Sequence, residues 1–255
     1  MEHVITRDLY DAVLLDLDGV ITDTASMHAA CWKEMFDEYL KKRATERGED
    51  FRPFDPATDY RLYVDGKPRF DGVRDFLASR GIALPEGSPD DPPDAETVGG
   101  LGNRKNELVN KIIEREGVEP YEGTVRLVHQ LRDSGFKLGV VTSSQNCSAV
   151  LKAAKLEDCF DMLVDGNVAR AEHLAGKPAP DTFLTAARLL GVEPARTVVI
   201  EDAISGVQAG SRGHFGLVIG VARGGNAKEL ERAGARLVTN DLGELVETPS
   251  SHAAS

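Results

Sequence analysis

Cysteines, cationic residues and long apolar runs are all scarce in this chain of 255 residues, and each scarcity removes a class of protein. Three cysteines, Cys31, Cys147 and Cys159, form no Cys-x-x-Cys pair and are odd in number. A disulfide framework and a structural zinc site are both excluded, and a reducing, cytoplasmic setting is expected. Lysine and arginine number 30 against 42 aspartates and glutamates, a formal net charge of −12. Nucleic-acid binding needs clustered cations to neutralise phosphates, so no nucleic-acid partner is expected. No apolar run approaches the roughly 20 residues that span a bilayer, so no membrane association is expected. The opening Met1-Glu2-His3-Val4 lacks a signal-peptide core. What remains is 41% apolar residues, enough for a packed core in one large or two modest domains. A monomeric, cytoplasmic, enzyme-sized protein is expected.

The densest signal lies early, in Ala12-Val13-Leu14-Leu15-Asp16-Leu17-Asp18-Gly19. An apolar run ends in two carboxylates spaced i, i+2, which predicts a buried strand delivering Asp16 and Asp18 to its C-terminal end. Ligands bind at such ends in parallel α/β sheets. Two carboxylates there can hold a hard divalent cation, attack an electrophile and handle protons. Taken alone, Asp-Gly after a strand is as well explained by a turn.

Strands are predicted at 12–16, 137–142, 162–164, 197–201 and 215–221. Helices are predicted at 124–133, 146–154, 181–190, 204–210 and 227–233. Such alternation gives a doubly wound parallel sheet covered on both faces, an α/β fold. The rhythm breaks between about 24 and 119. Helical patterns at 26–42, 70–79 and 104–115 lie there among loop-like stretches at 47–59 and 85–94. The expected division is a core of 1–23 and 120–247 with a helical domain, 24–119, inserted after the first strand. The tail, 248–255, is expected to be disordered.

Three more groups fall at predicted strand ends. Thr142 leads into Ser143-Ser144-Gln145-Asn146, whose hydroxyls and backbone N–H groups can cradle an anion or cap a helix. Lys177 lies in Gly176-Lys177-Pro178-Ala179-Pro180-Asp181, where it can project a fixed charge or be solvated. Glu201 and Asp202 end a strand, suiting a metal ion or a helix N-terminus. Singly each admits a structural role. Jointly they supply nucleophile, proton handler, anion cradle, fixed cation and metal ligands, the inventory of phosphoryl transfer.

Asp16-Leu17-Asp18-Gly19, Thr142, Lys177 and Glu201-Asp202, in this order, resemble the four signatures of the haloacid dehalogenase (HAD) superfamily, over essentially the whole chain. The insertion lies where one branch carries a helical cap. The segment Asp16 to Ala25, with His28, Arg104-Lys105-Asn106 and Lys177-Pro178-Ala179-Pro180-Asp181, resembles the β-phosphoglucomutase-like family within that branch. Two departures stand out. The family's cap loop reads Lys-Gly-x-Ser-Arg, and here it is Asp65-Gly66-Lys67-Pro68-Arg69. The family's phosphate loop carries Lys where this chain has Gln145.

The resemblance implies Mg²⁺-dependent phosphoryl transfer through an aspartyl-phosphate on Asp16, most simply between β-glucose 1-phosphate and glucose 6-phosphate. A sugar-phosphate phosphatase is the alternative, and Gln145 is the argument for it. Asp18 would handle protons, while Lys177 and Thr142 would stabilise the transferring group. Mg²⁺ would be held by Asp16, Glu201, Asp202 and Asp18, the last through its carbonyl. Substrate-binding candidates are Thr24, His28, Gly66, Lys67, Arg69, Arg104, Lys105, Ser143, Ser144 and Asn146, with Arg69 on the phosphate that is not transferred. His28 can also be a satisfied helix histidine, and the cap cations can be solvated surface charges. A binding module that has kept the site residues is a third reading, and a dehalogenase is disfavoured because Asp18 and the metal acids suit phosphate.

Overall fold

The computed structural model describes residues 4–223 and 225–246. The tail expected at 248–255 lies outside the described residues. Among the described residues six parallel strands form one sheet: β1 Ala12–Leu15, β2 Lys137–Val141, β3 Met162–Val164, β4 Thr197–Glu201, β5 Leu217–Val221 and β6 Leu237–Thr239. Their order is β3-β2-β1-β4-β5-β6. Every neighbouring pair is parallel. Chain direction across the sheet reverses between β1 and β4, so the crevice beyond their C-terminal ends is the natural ligand position.

All four residues of β1 are buried, as a central strand covered on both faces requires. Its alternation sorts the core. Val13 and Leu15 join Leu127, Val128 and Leu131 of α4 (Glu122–Asp133) and Val150 and Leu151 of α5 (Cys147–Ala153). Ala12 and Leu14 join Phe183 and Leu190 of α7 (Asp181–Leu190), Val207 of α8 (Ile204–Arg212) and Leu230 of α9 (Ala227–Ala233).

Between β1 and α4 the chain forms α1 Ala25–Arg47, α2 Arg69–Ser79 and α3 Val98–Glu116. These helices enclose a separate apolar cluster in which Trp32, Phe36, Phe54 and Phe76 meet. The ring centroids of Phe36 and Phe76 are 4.1 Å apart and those of Trp32 and Phe36 5.3 Å. Aromatic burial on this scale gives the inserted segment a core independent of the sheet.

Three differences from the sequence expectation have simple causes. Strand β6 is three residues of an edge with only two of them apolar, Leu237 and Val238, too few to show a pattern. A short helix, α6 (Gly166–Ala171), starts where Asp165 accepts from the N–H groups of Asn167 and Val168, each at 2.9 Å. Helix α3 begins at Val98 rather than 104, capped by the Thr97 hydroxyl accepting from Gly100 N–H at 2.9 Å. Three glycines in its first turn and a half hid that start from propensity.

Candidate active site

Strand β1 ends in Leu15, and Asp16 follows with its N–H donating to Ile200 O at 3.0 Å. That bond carries the sheet one residue further and fixes the Asp16 carboxylate at the sheet's C-terminal edge. Lys177 Nζ reaches Asp16 Oδ1 and Glu201 Oε1, each at 2.5 Å, and Val141 O at 3.1 Å. Lysine 177 is 3% exposed and Glu201 fully buried. Glu201 Oε2 accepts from the N–H groups of Asp202 and Ala203 at 3.1 Å. Burial pushes the Asp16 carboxyl well above the usual range, Lys177 draws it down, and Glu201 and Asp18 push it up again. Burial opposes the Lys177 charge, but Asp16 and Glu201 outweigh it and hold the ammonium protonated.

The second aspartate faces the inserted segment. Asp18 Oδ1 accepts the Thr24 hydroxyl and lies 3.3 Å from His28 Nε2. His28 Nδ1 is 2.6 Å from Lys105 Nζ, and that ammonium sits 5.0 Å over the Trp32 ring. The chain Asp18–His28–Lys105 therefore joins the sheet edge to α1 and α3. Burial alone would raise the Asp18 pKa, but His28 and the Thr24 bond more than offset it, leaving it at about 2. Burial pulls Lys105 down to about 8 against the attraction of Asp18.

Gly19 shows why the Asp-x-Asp-Gly sequence ends in glycine. Its φ is +83°, and a Cβ there would lie 1.9 Å from Asp202 Oδ2. The glycine lets Asp202 approach the Asp16 loop, so that ligand atoms of Asp16, Glu201 and Asp202 lie within 4.8 Å of one another. Burial, then Asp65 and Glu201, raise Asp202 well above the usual carboxylate range. Three carboxylates against one ammonium leave an excess of negative charge that a divalent cation would offset, and an all-oxygen donor set suits a hard cation. Asp18 contributes no side-chain atom to this cluster; its carboxylate is turned toward Thr24 and His28.

A loop of the inserted segment adds to these contacts with the sheet edge. A wide helical turn at Tyr60–Val64, closed by Asp65 N–H to Tyr60 O at 3.0 Å, sets up Asp65 and Gly66. Gly66 has φ +68°, and its carbonyl accepts from Ser143 Oγ at 2.8 Å. Ser205 Oγ donates to Asp65 O at 2.9 Å. Arg69 Nη1 donates to Gln145 Oε1 at 2.6 Å, and its Nη2 to Asn103 Oδ1 at 2.8 Å. These contacts enclose a cavity of about 470 Å³, within the roughly 300–1,000 Å³ usual for small-molecule sites.

Asp16, Asp18, His28, Gly66, Lys67, Arg69, Lys105, Thr142, Ser143, Ser144 and Asp202 all line that cavity. Several candidates do not. Thr24 is buried behind Asp18, where it acts on the carboxylate rather than on a ligand. Asn146 is turned to Asn106 Oδ1 at 3.2 Å. Arg104 corrects the expectation most clearly: its Nε donates to Pro93 O at 2.7 Å, Glu38 lies 3.6 Å from its Nη1, and it is no part of the lining. Lys67 lines the cavity but is held by Asp75 at 2.6 Å. Lys177 and Glu201 sit beneath the floor rather than in it.

Asp65, Tyr60, Trp32, Asn106 and Arg170 also line the cavity, and the sequence did not single them out as site residues. Trp32 could have been found, because it lies at i+4 from His28 on one helix face. Asp65 and Tyr60 lie on an irregular turn, and Arg170 on a helix with no periodic signal. Burial raises Asp65 to about 7, and the Glu201 charge adds to that.

The haloacid dehalogenase-like hydrolase family model matches residues 10–214. The chain is 52% identical over 238 residues to a protein of Mycobacterium bovis named β-phosphoglucomutase, covering 92% of this chain and 91% of that one. It is 34% identical over 211 residues to the protein of the same name from Bacillus subtilis, covering 82% and 83%. A crystal structure titled β-phosphoglucomutase from Clostridium difficile superposes with a TM-score of 0.72 at 24% identity, covering 92% and 93%, which supports the fold. No described helix is long and apolar enough to cross a membrane. The family model and these relatives run along most of the chain, and the chain belongs to the haloacid dehalogenase-like hydrolase family, enzymes of the phosphotransferase and phosphatase type.

Proposed function

We propose that this enzyme interconverts β-glucose 1-phosphate and glucose 6-phosphate through a phosphorylated Asp16. The observation that carries the reading is the pair of aspartates at one strand end with opposite surroundings. Asp16 is held by Lys177 beneath the cavity floor. Asp18 is held by Thr24 and His28 on the side of the inserted segment. One carboxylate is placed to attack phosphorus and the other to move a proton. The identity to relatives named β-phosphoglucomutase supports the sugar assignment.

With a pKa of about 2, Asp18 is ionised at neutral pH and enters as a base. It takes the proton from the sugar hydroxyl that attacks the phosphorus on Asp16. A sugar bisphosphate and free Asp16 result, with the proton on Asp18. After the bisphosphate turns over, Asp16 attacks its other phosphorus, and Asp18 returns the proton to the leaving sugar oxygen. The proton count closes over the two halves, and Asp16 is again phosphorylated.

Asp16, Asp202 and Glu201 would hold Mg²⁺, with the Asp18 carbonyl. Bound there, the cation would supply charge neutralisation for the attack of one anion on another. Lys177 and Thr142 stabilise the charge that develops on the transferring group. Residues 24–119 act as a cap, excluding water while Arg69 and Ser144 grip the spared phosphate. Gln145, with its carbonyl already taken by Arg69, adds no charge to that grip and is the observation favouring a phosphatase.

Phosphorus NMR with Mg²⁺, β-glucose 1-phosphate and a trace of glucose 1,6-bisphosphate separates the two. Glucose 6-phosphate growing without matching inorganic phosphate supports the mutase. Inorganic phosphate growing instead overturns it in favour of the phosphatase.

A further inference from the structure

Among the described residues two arginines reach the main cavity, Arg69 at the start of α2 and Arg170 on α6. Neither forms an ion pair among the described residues. The hydrogen-bond partners of Arg69 are neutral amide oxygens of Gln145 and Asn103. Its Nε is buried with no acceptor among the described residues. The guanidinium of Arg170 has no protein partner among the described residues. Burial, and then the charge of Arg170, lower the Arg69 pKa, so the two cations feel each other. Like charges sharing a cleft, with a buried donor unanswered, are stabilised by an anion between them.

The placement of Arg170 follows from packing. Asn167 Nδ2 donates to Gln145 O at 3.0 Å. A Cβ on Gly166 would lie 2.6 Å from Ser143 O and 3.0 Å from Gln145 Cγ. The face of α6 carrying Gly166 is therefore pressed against the loop 143–146. Arg170 is at i+4 from Gly166 and shares that face. In the same loop Ser144 Oγ accepts from Asn146 N–H at 3.2 Å. Its own proton donates to no protein acceptor among the described residues.

We propose that Arg170 is a further specificity residue for the sugar bisphosphate, closing a clamp with Arg69 on the phosphate that is not undergoing transfer. Arg170 supplies from α6 the charge that Gln145 does not bring to the loop, and Ser144 adds a hydroxyl donor. The clamp rests on the mutase reading above, and its role is binding rather than chemistry.

The test compares kcat/KM for β-glucose 1,6-bisphosphate with kcat/KM for acetyl phosphate, which has no second phosphate, in the Mg²⁺-loaded enzyme. Arg170→Ala is expected to lower the ratio of the two about tenfold, mainly through KM for the bisphosphate, the size of one charge-assisted contact at an exposed position. Adding Gln145→Lys to Arg170→Ala is expected to restore part of the ratio. Arg170 is exposed, so its truncation leaves the fold intact. A ratio within twofold of the wild type, where the wild type favours the bisphosphate, overturns the clamp alone. A wild type showing no preference for the bisphosphate overturns the mutase reading, and the clamp with it.

Discussion

The floor of the cavity and the wall raised by the inserted segment solve the same electrostatic problem in opposite ways. At the floor, Lys177 satisfies Asp16 and, beneath it, Glu201 at 2.5 Å each, all three side chains almost fully buried. On the wall, Lys67 is paired with Asp75, but Arg69 leans on two amides and Lys105 on a histidine and an aromatic face. The floor is complete within the protein except for its surplus of negative charge. The wall is incomplete without an anion. The contrast teaches that chemistry is preorganised at the sheet edge, whereas the inserted segment saves its unpaired charge for the ligand.

The largest effect should come from Asp16→Asn. An amide cannot form the phosphoenzyme, so steady-state turnover is expected to fall by roughly 10⁴-fold or more. Stability should move the other way. Burial and neighbouring acids oppose ionisation of Asp16, so in chelator the variant should melt no lower than the wild type. Undiminished turnover would remove Asp16 as nucleophile. A large drop in melting temperature would show that the floor is balanced rather than overcharged.

Lys177→Met sharpens the same point from the cation side. It strands two buried carboxylates, a change that costs about 3–5 kcal/mol. Urea unfolding in chelator measures it. If the variant is as stable as the wild type, the pairing at 2.5 Å contributes nothing and the floor's order has another source.

How legible these two regions were follows from the same physics. The floor residues sit at the ends of short apolar runs, and β1 and β4 announce themselves because strands covered on both faces must be apolar throughout. Asp16, Asp18, Thr142, Glu201 and Asp202 were readable for that reason. The convergence of Lys177 was readable only as a member of an ordered set, since nothing local says that it will be buried. The wall reads poorly. Asp65 depends on a five-residue wide turn, Arg170 on a six-residue helix positioned by its contacts with the loop 143–146, and Arg104 carries the same charge as Lys105 beside it yet faces elsewhere. Which of two adjacent cations enters a cavity is set by helix rotation, a tertiary property.

Lys105 allows the wall to be tested by pH. Its native pKa is about 8, against about 10.4 in an unfolded chain. Below pH 8 both states hold the proton and the burial penalty is present in full. Between the two values the unfolded chain holds more protons, so stability rises with pH. Relative to Lys105→Met, the wild type should gain up to about 3 kcal/mol from pH 8 to pH 10.4, at about 1.4 kcal/mol per unit. A flat difference between the two proteins would mean that the ammonium is not desolvated by Trp32 and its neighbours.

The smallest effect belongs to the seam between the regions. Ser143 Oγ donates to Gly66 O, and Ser205 Oγ donates to the adjacent Asp65 O, from opposite sides of the β1–β4 switch point. Each bond is worth about 1 kcal/mol. Ser143→Ala should therefore raise KM for the sugar phosphate about fivefold, with faster hydrogen exchange in residues 60–68. Ser205→Ala should resemble it. If the loop is anchored at two independent points, the double variant shows the sum of the two effects. A coupling above about 0.5 kcal/mol would show instead that the loop lifts as one piece, with Asp65, Gly66, Lys67 and Arg69 leaving the floor together. In that case the wall is a single movable element, and binding of the anion and closure of the segment are one event.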